Sequence, residues 1–246
     1  MDNSGQLDTI LDEFALISGP KILVHGGGNR ASELSKKLGI KPRMVKGRRI
    51  TDGDTLEVVT MVYAGLVNKN LVAKLQSKKV NAIGLSGADG NSILAIKRPV
   101  QEIDYGFAGD LTDEAPPSHS LSVFLENGLT PVFCALTHDG KGQLLNTNAD
   151  TIASYLAKIL CRNYQVNLVY CLDRPGVLLN PEDQTTVVKE LNPSYYQDLI
   201  SKGIIVEGMI PKLDNAFSAL RLGVQEIYLC DWNDITGGSG TKISLS

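Results

Sequence analysis

Short apolar runs alternate with longer segments whose apolar positions recur at helical spacing along almost the whole of this 246-residue chain. Runs at residues 21–25, 81–85, 93–97, 130–136, 166–172, 226–230 and 241–245 read as strands. Residues 6–17, 29–38, 120–127, 151–160, 193–202 and 212–222 read as helices, and a longer helix lies within 53–79. Ser18-Gly19-Pro20 and Gly39 supply helix stops, and Asp139-Gly140-Lys141-Gly142 reads as a hairpin turn. Residues 104–118 are polar and turn-rich, and 237–240 read as a flexible loop. Strands that alternate with helices predict a mostly parallel sheet covered on both faces, a three-layer αβα sandwich. The length suits one large domain, or two lobes sharing a sheet.

Charge and cysteine usage narrow the class further. The formal net charge of -3 gives no electrostatic footprint for nucleic acid. Cys134, Cys161, Cys171 and Cys230 form no CxxC pair and are expected as buried thiols in a reducing compartment. No apolar run has the length of a membrane span, and no signal peptide precedes the first helix. A soluble cytoplasmic protein with a small-molecule partner, and neither nucleic acid nor membrane, is therefore expected.

In "KILVHGGGNR" (21–30) an apolar run ends in three glycines, and a helix-like segment follows. In parallel sheets, ligands sit beyond the carboxyl ends of the strands. Free N–H groups and a helix N-terminus there suit an anion or an oxyanion. A tight strand–helix turn with no ligand is the plainer alternative. The G-x-x-x-x-G-K-[ST] and G-x-G-x-x-G signatures are both missing. An HGGG turn also forms oxyanion holes in lipase-like hydrolases, but these need a G-x-S-x-G elbow. Gly84-Leu85-Ser86-Gly87-Ala88 lacks the last glycine, and only His119 and His138 follow as bases.

Three further stretches carry chemistry. "MVKGRRITDGDT" (44–55) places Arg48 and Arg49 ahead of a helix. "LLNTNADTIA" (144–153) puts Asn146, Asn148 and Asp150 at a strand-to-helix junction, where a helix cap would also explain them. "GMIPKLDNA" (208–216) puts Lys212 just inside a helix, where it could equally be a surface lysine.

Together, "KILVHGGG", "GRRIT", "GLSGADGN", "LNTNAD", "GMIPK" and "GTKI" resemble, in order and spacing, the N-acetylglutamate kinases of the amino-acid kinase family. The resemblance runs from about residue 6 to the last strand. It implies the amino-acid kinase fold over 1–246, with an N-terminal lobe (about 1–150) for the N-acylglutamate and a C-terminal lobe (about 151–246) for ATP. It implies ATP-dependent phosphorylation of the γ-carboxylate of N-acetyl-L-glutamate or a related N-acylglutamate, the second step of arginine biosynthesis. Gly27 and Gly28 would offer N–H groups to the acceptor or the transferring phosphoryl. Arg49 would pair with the substrate's α-carboxylate, and Asn146 with its other polar groups. Lys212 would neutralise phosphoryl charge, and Asp150 would hold lysine side chains in place. Asp173, Arg174, Pro175, Gly176, Val177 and Leu178, with Ile204, Ile205 and Val206, match nucleotide-contacting segments. Magnesium would arrive with ATP, since no protein-only metal site is visible. A homodimer is the expected assembly.

The resemblance has one gap. The family begins with a strand ending in a Lys-x-Gly-Gly turn, whereas this sequence opens on "MDNSGQLDTILDEF", matching the helix after that turn. A truncated start is the favoured expectation, with a chain that binds ligand and turns over poorly. A non-catalytic relative on the same fold is the alternative.

Overall fold

The computed structural model describes residues 4–112, 119–206, 208–236 and 238–246. The tail of the turn-rich stretch and Gly237 fall outside them. In chain order the helices are α1 (Ser4–Leu16), α2 (Gly28–Lys37), α3 (Gly53–Thr60), α4 (Asn68–Ser77), α5 (His119–Glu126), α6 (Ala149–Leu160), α7 (Pro193–Ser201) and α8 (Ile210–Arg221). The first nine strands are β1 (Leu23–His25), β2 (Met44–Val45), β3 (Arg48–Arg49), β4 (Ala82–Leu85), β5 (Ala95–Lys97), β6 (Gly109–Leu111), β7 (Thr130–Cys134), β8 (Leu136–His138) and β9 (Leu144–Asn146). The last four are β10 (Asn167–Leu172), β11 (Glu190–Leu191), β12 (Glu226–Asp231) and β13 (Thr241–Ile243). Contacts divide the chain into two compact units, residues 18–152 and residues 4–17 with 153–246.

In the first unit, β1, β7 and β4 form a parallel sheet in that order. β7 reads Thr-Pro-Val-Phe-Cys and is buried throughout, as a central parallel strand covered on both faces must be. Three hairpins, β2–β3, β5–β6 and β8–β9, decorate this unit. The β8–β9 turn is the hairpin expected at 139–142. The β2–β3 hairpin was not foreseen, nor was β6 inside the turn-rich stretch. Ala31, Val58, Val59, Val62, Tyr63, Cys134 and Leu136 form one of its cores.

The long helix expected within 53–79 exists, but it is not uniform. α3 passes into a π-helical segment, Met61–Val67, which passes into α4. The burial pattern gives the reason. Val58, Val59, Val62 and Tyr63 face the interior, and the next buried residue is Asn68, five positions after Tyr63. An α-helical step would turn Leu66 inward, yet Leu66 is half exposed. The i to i+5 step of a π turn carries Asn68 onto the buried face instead. α3 is capped by Asp52, whose carboxylate accepts from Thr55 N at 3.0 Å. α2 ends at Gly39, whose φ of +77° only glycine adopts readily.

In the second unit the sheet order is β10–β12–β13–β11. β10 and β12 run parallel, as do β11 and β13, while β12 and β13 are antiparallel. α7 starts at Asn192, which caps Tyr195 N at 2.9 Å, with Pro193 at its first position. Leu168, Tyr170, Leu191, Leu213, Phe217, Ile227, Leu229 and Ile243 fill the core. Two expectations are corrected here. Cys171, next to last in β10, is exposed and Cys161 is half-buried, although Cys230 beside Cys171 in register is buried. The described part of the expected flexible loop, 238–240, is tied down as well. Gly238 N and the Ser239 hydroxyl both bond the Asp234 carboxylate, and a side chain at residue 240 would meet Leu229 O at 2.2 Å.

Candidate functional site

The glycine turn lies where the parallel sheet predicts a ligand. β1 ends at His25, Gly26 and Gly27 follow, and α2 opens at Gly28. Gly27 O accepts from Ala31 N at 2.9 Å, which starts the helix. No acceptor among the described residues takes the Gly27 or Gly28 N–H. Both stand at the positive end of a ten-residue helix. The φ of Gly27 is 167°, outside the left-handed region that favours glycine. What demands glycine is space, since a Cβ would lie 2.7 Å and 3.0 Å from two ring carbons of Tyr63. The neighbour pressed against this side of the turn is therefore an aromatic ring.

Arg49, at the end of β3, completes the cradle. It is 9% exposed. Its Nη2 donates to Gly28 O at 2.9 Å and to Ser32 Oγ at 2.8 Å, both on the first turns of α2. Its Nη1 is buried and has no partner among the described residues. Burial pushes the Tyr63 phenol pKa up, and the guanidinium alongside draws it back. A buried cation thus stands beside a helix N-terminus, positive charge on partial positive charge, with one fork of donors unused. A buried charge needs a counter-charge, so the chemistry of this corner suits an anion. Arg48 faces solvent, and Arg43 pairs on the surface with Asp52.

Asn146 ends β9. Its Nδ2 donates to Thr51 Oγ1 at 3.0 Å, and its own N–H donates to Phe107 O. Thr51 follows Arg49 by two residues, so Asn146 is tied to the segment that carries the arginine. Asn148 caps α6, accepting from Asp150 N at 2.7 Å and Thr151 N at 3.2 Å, so the cap reading holds for it. Asp150 lies in the first turn of α6, where a carboxylate also suits the helix dipole.

In the second unit, the segment 173–178 leaves the carboxyl end of β10. Asp173 and Arg174 are paired at 3.4 Å on the surface. A Cβ at Gly176 would meet Thr241 Oγ1 at 2.5 Å, and Val177 N donates to that same oxygen at 2.9 Å. β13 therefore clamps this loop, which gives the closing "GTKI" a role. Pro175 leads into Gly176, while Val177 and Leu178 are buried. Ile204 is half-buried, Ile205 belongs to the core, and Val206 is 64% exposed, a large apolar side chain left in solvent. Lys212 sits in the first turn of α8 with Nζ 4.7 Å from the Tyr170 ring centroid. A cation at a helix N-terminus opposes the dipole, so helix stability does not explain its position.

Sequence reasoning missed Tyr63, Ser32, Thr51 and a buried chain of bonds behind the turn. His25 Nδ1 lies 2.7 Å from Gly26 O, and its Nε2 lies 3.0 Å from Asn68 Nδ2. Asn68 also bonds Val132 O and Lys69 Nζ. A histidine at the end of an apolar strand was the one available signal.

The family described as Amino acid kinase family matches residues 1–231. The acetylglutamate kinase of Cytophaga hutchinsonii is 54% identical over 231 residues, covering 94% of this chain and 87% of its own length. That of Phocaeicola vulgatus is 50% identical over 243 residues, covering 99% of this chain and 94% of its own. Among solved structures, N-acetylglutamate synthase from Neisseria gonorrhoeae, complexed with coenzyme A and N-acetyl-glutamate, superposes with a TM-score of 0.82 at 21% identity. That likeness covers 99% of this chain and 57% of the synthase and speaks for the fold.

Proposed function

Because the chain belongs to the amino acid kinase family, we propose that it transfers the γ-phosphoryl group of ATP to the γ-carboxylate of N-acetyl-L-glutamate, a step of arginine biosynthesis. It is a phosphotransferase on the amino-acid kinase fold. The observation that carries the substrate assignment is Arg49, a buried guanidinium with an unused Nη1 beside two free glycine N–H groups. An acceptor with two carboxylates fits that arrangement. Its α-carboxylate takes the guanidinium fork, and its γ-carboxylate takes the N–H groups of Gly27 and Gly28. Asn146 then hydrogen-bonds the acyl-amide end of the substrate.

A γ-carboxylate oxygen attacks the γ-phosphorus, the bond to the bridging oxygen breaks, and ADP leaves. The protein contributes positioning and charge neutralisation. The turn's N–H groups meet charge on the acceptor's oxygens, and Lys212 neutralises phosphoryl charge on the nucleotide. Asp150 orients lysine ammonium groups. Residues 173–178 and 204–206 hold the nucleotide, with the exposed Val206 supplying apolar surface for a base. Magnesium carried on the nucleotide's phosphates would supply further charge neutralisation. A cytoplasmic homodimer completes the proposal, supported by the family likeness. No helix among the described residues is long and apolar enough to cross a membrane.

The test is ADP release in a coupled assay, with the acyl phosphate trapped by hydroxylamine. Release that depends on N-acetyl-L-glutamate, and not on aspartate or carbamate, is expected. Equal release with all three acceptors, together with no calorimetric binding of N-acetyl-L-glutamate, would overturn the reading.

A further inference from the structure

We propose that His25 is a positioning residue for the glycine turn, holding the Gly26–Gly27 peptide so that the Gly27 N–H faces the bound acceptor. This rests on the reading of the turn as the acceptor cradle.

Two peptides must be aimed for Gly27 and Gly28 to present their N–H groups. A peptide unit is planar and trans, so its carbonyl and N–H point in opposite directions, and fixing one fixes the other. The Gly27–Gly28 peptide is fixed by the helix, because Ala31 N donates to Gly27 O. The Gly26–Gly27 peptide lies outside the helix and between two glycines. Glycine imposes the weakest restraint on backbone dihedrals of any residue. Left alone, this peptide could rotate and turn its carbonyl toward an anion. The bond recorded for its oxygen among the described residues is the one to His25 Nδ1, at 2.7 Å.

Donor and acceptor roles follow from the neighbours. Asn68 lies 2.8 Å through Nδ2 from Val132 O, a pure acceptor, and 3.2 Å through Oδ1 from Lys69 Nζ, a pure donor. Its amide can therefore face only one way, and Nδ2 donates its other proton to His25 Nε2 at 3.0 Å. Nε2 is thus the bare nitrogen. The imidazole proton sits on Nδ1 and is donated to Gly26 O. His25 and Asn68 are each 1% exposed, and burial favours the neutral ring that this pattern requires. Gly84 closes the arrangement, since a Cβ there would lie 1.9 Å from Asn68 Oδ1. Asn68 reaches His25 because of the π-helical step before it.

Two substitutions separate positioning from packing. His25→Asn places an amide N–H near the position of Nδ1 and loses the contact with Asn68. His25→Gln extends toward Asn68 and loses the donor to Gly26 O. Each removes one of two hydrogen bonds, so a purely structural role would make the two alike. In the wild-type chain, nitrogen-15 spectra of the ring should show the proton on Nδ1. The Gly27 amide cross-peak should stay in place in His25→Asn and move in His25→Gln. N-acetyl-L-glutamate affinity should fall at least about tenfold in His25→Gln and stay within about threefold of wild type in His25→Asn. A proton found on Nε2, which needs no variant to detect, or equal behaviour of the two variants, would overturn the proposal. If the Gly27 peak separates the variants but the wild-type chain does not bind N-acetyl-L-glutamate, the positioning role stands and the substrate reading falls.

Discussion

Replacing Arg49 by alanine should separate ligand binding from stability. In the free protein the side chain makes two hydrogen bonds, to Gly28 O and Ser32 Oγ, each contributing about 1 kcal/mol. Against them stands Nη1, buried without a partner, a defect costing about 1–3 kcal/mol. The two effects nearly cancel, so the free protein should lose little stability. Arg49→Met, which keeps much of the apolar stem, should lose even less. With N-acetyl-L-glutamate bound, the same guanidinium faces a carboxylate in a desolvated site. Losing one partner of such a pair costs about 2–5 kcal/mol, or roughly thirtyfold to several-thousandfold in affinity. Calorimetric titration of N-acetyl-L-glutamate and of magnesium–ATP, each alone, measures the first effect, and urea unfolding without ligand measures the second. An equal loss of both ligands would remove Arg49 from the acceptor site. A fall in ligand-free stability well beyond 2 kcal/mol would show that the guanidinium serves the fold.

Lys212→Ala should lower turnover by about 10²–10³ while the dissociation constants of both substrates change little, the pattern of a group acting mainly in the transition state; unchanged turnover would return it to the surface-lysine reading. Gly27→Ala should cost about 1–3 kcal/mol in urea unfolding, because its Cβ would meet the Tyr63 ring at 2.7 Å, and a second substitution, Tyr63→Leu, should recover part of the loss. Burial, outweighing the bond to Gly26, holds the His25 pKa below its ordinary value. The unfolded chain therefore binds the proton more readily, so this contribution to stability is complete above the ordinary histidine pKa and is lost as pH falls through the lower folded value. The urea midpoint of the wild-type chain should thus drop more steeply below neutral pH than that of His25→Asn.

Much of this architecture is written in short-range signals. The Asn192-Pro193 start, the Asn148 cap and the Gly39 stop each act within a few residues, and all are readable from the chain. The glycine turn was readable too, though the reason for Gly27 was not, because Tyr63 lies far along the sequence. The β2–β3 hairpin escaped notice because its turn places Lys46, a residue without the usual preference, at φ +47° ahead of Gly47. The π segment escaped because Leu66 and Val67 continue the apolar rhythm of an α-helix, and only the packing shows Leu66 turned outward. Nothing local assigns α1 to the unit built from residues 153–246. The cradle's arginine came from the family resemblance, whereas the His25–Asn68 bond joins residues 43 apart and leaves no local trace.

The π-helical segment Met61–Val67 also fixes how this stretch can change in length. Upstream, Val59 and Tyr63 meet one core, and downstream Asn68, Leu71 and Leu75 are buried as well. Each residue of an α-helix turns the chain by about 100°. Losing one codon between Tyr63 and Asn68 would leave Asn68 four positions after Tyr63, the spacing at which a regular helix keeps both on one face. Gaining one codon there would instead rotate everything after it by that angle relative to everything before. Either Tyr63 would leave Gly27, or Asn68 would leave His25. Substitutions here can be judged residue by residue, but an insertion acts on both halves at once. The segment behaves as a reading frame for side chains, one that lineages can respell but cannot lengthen.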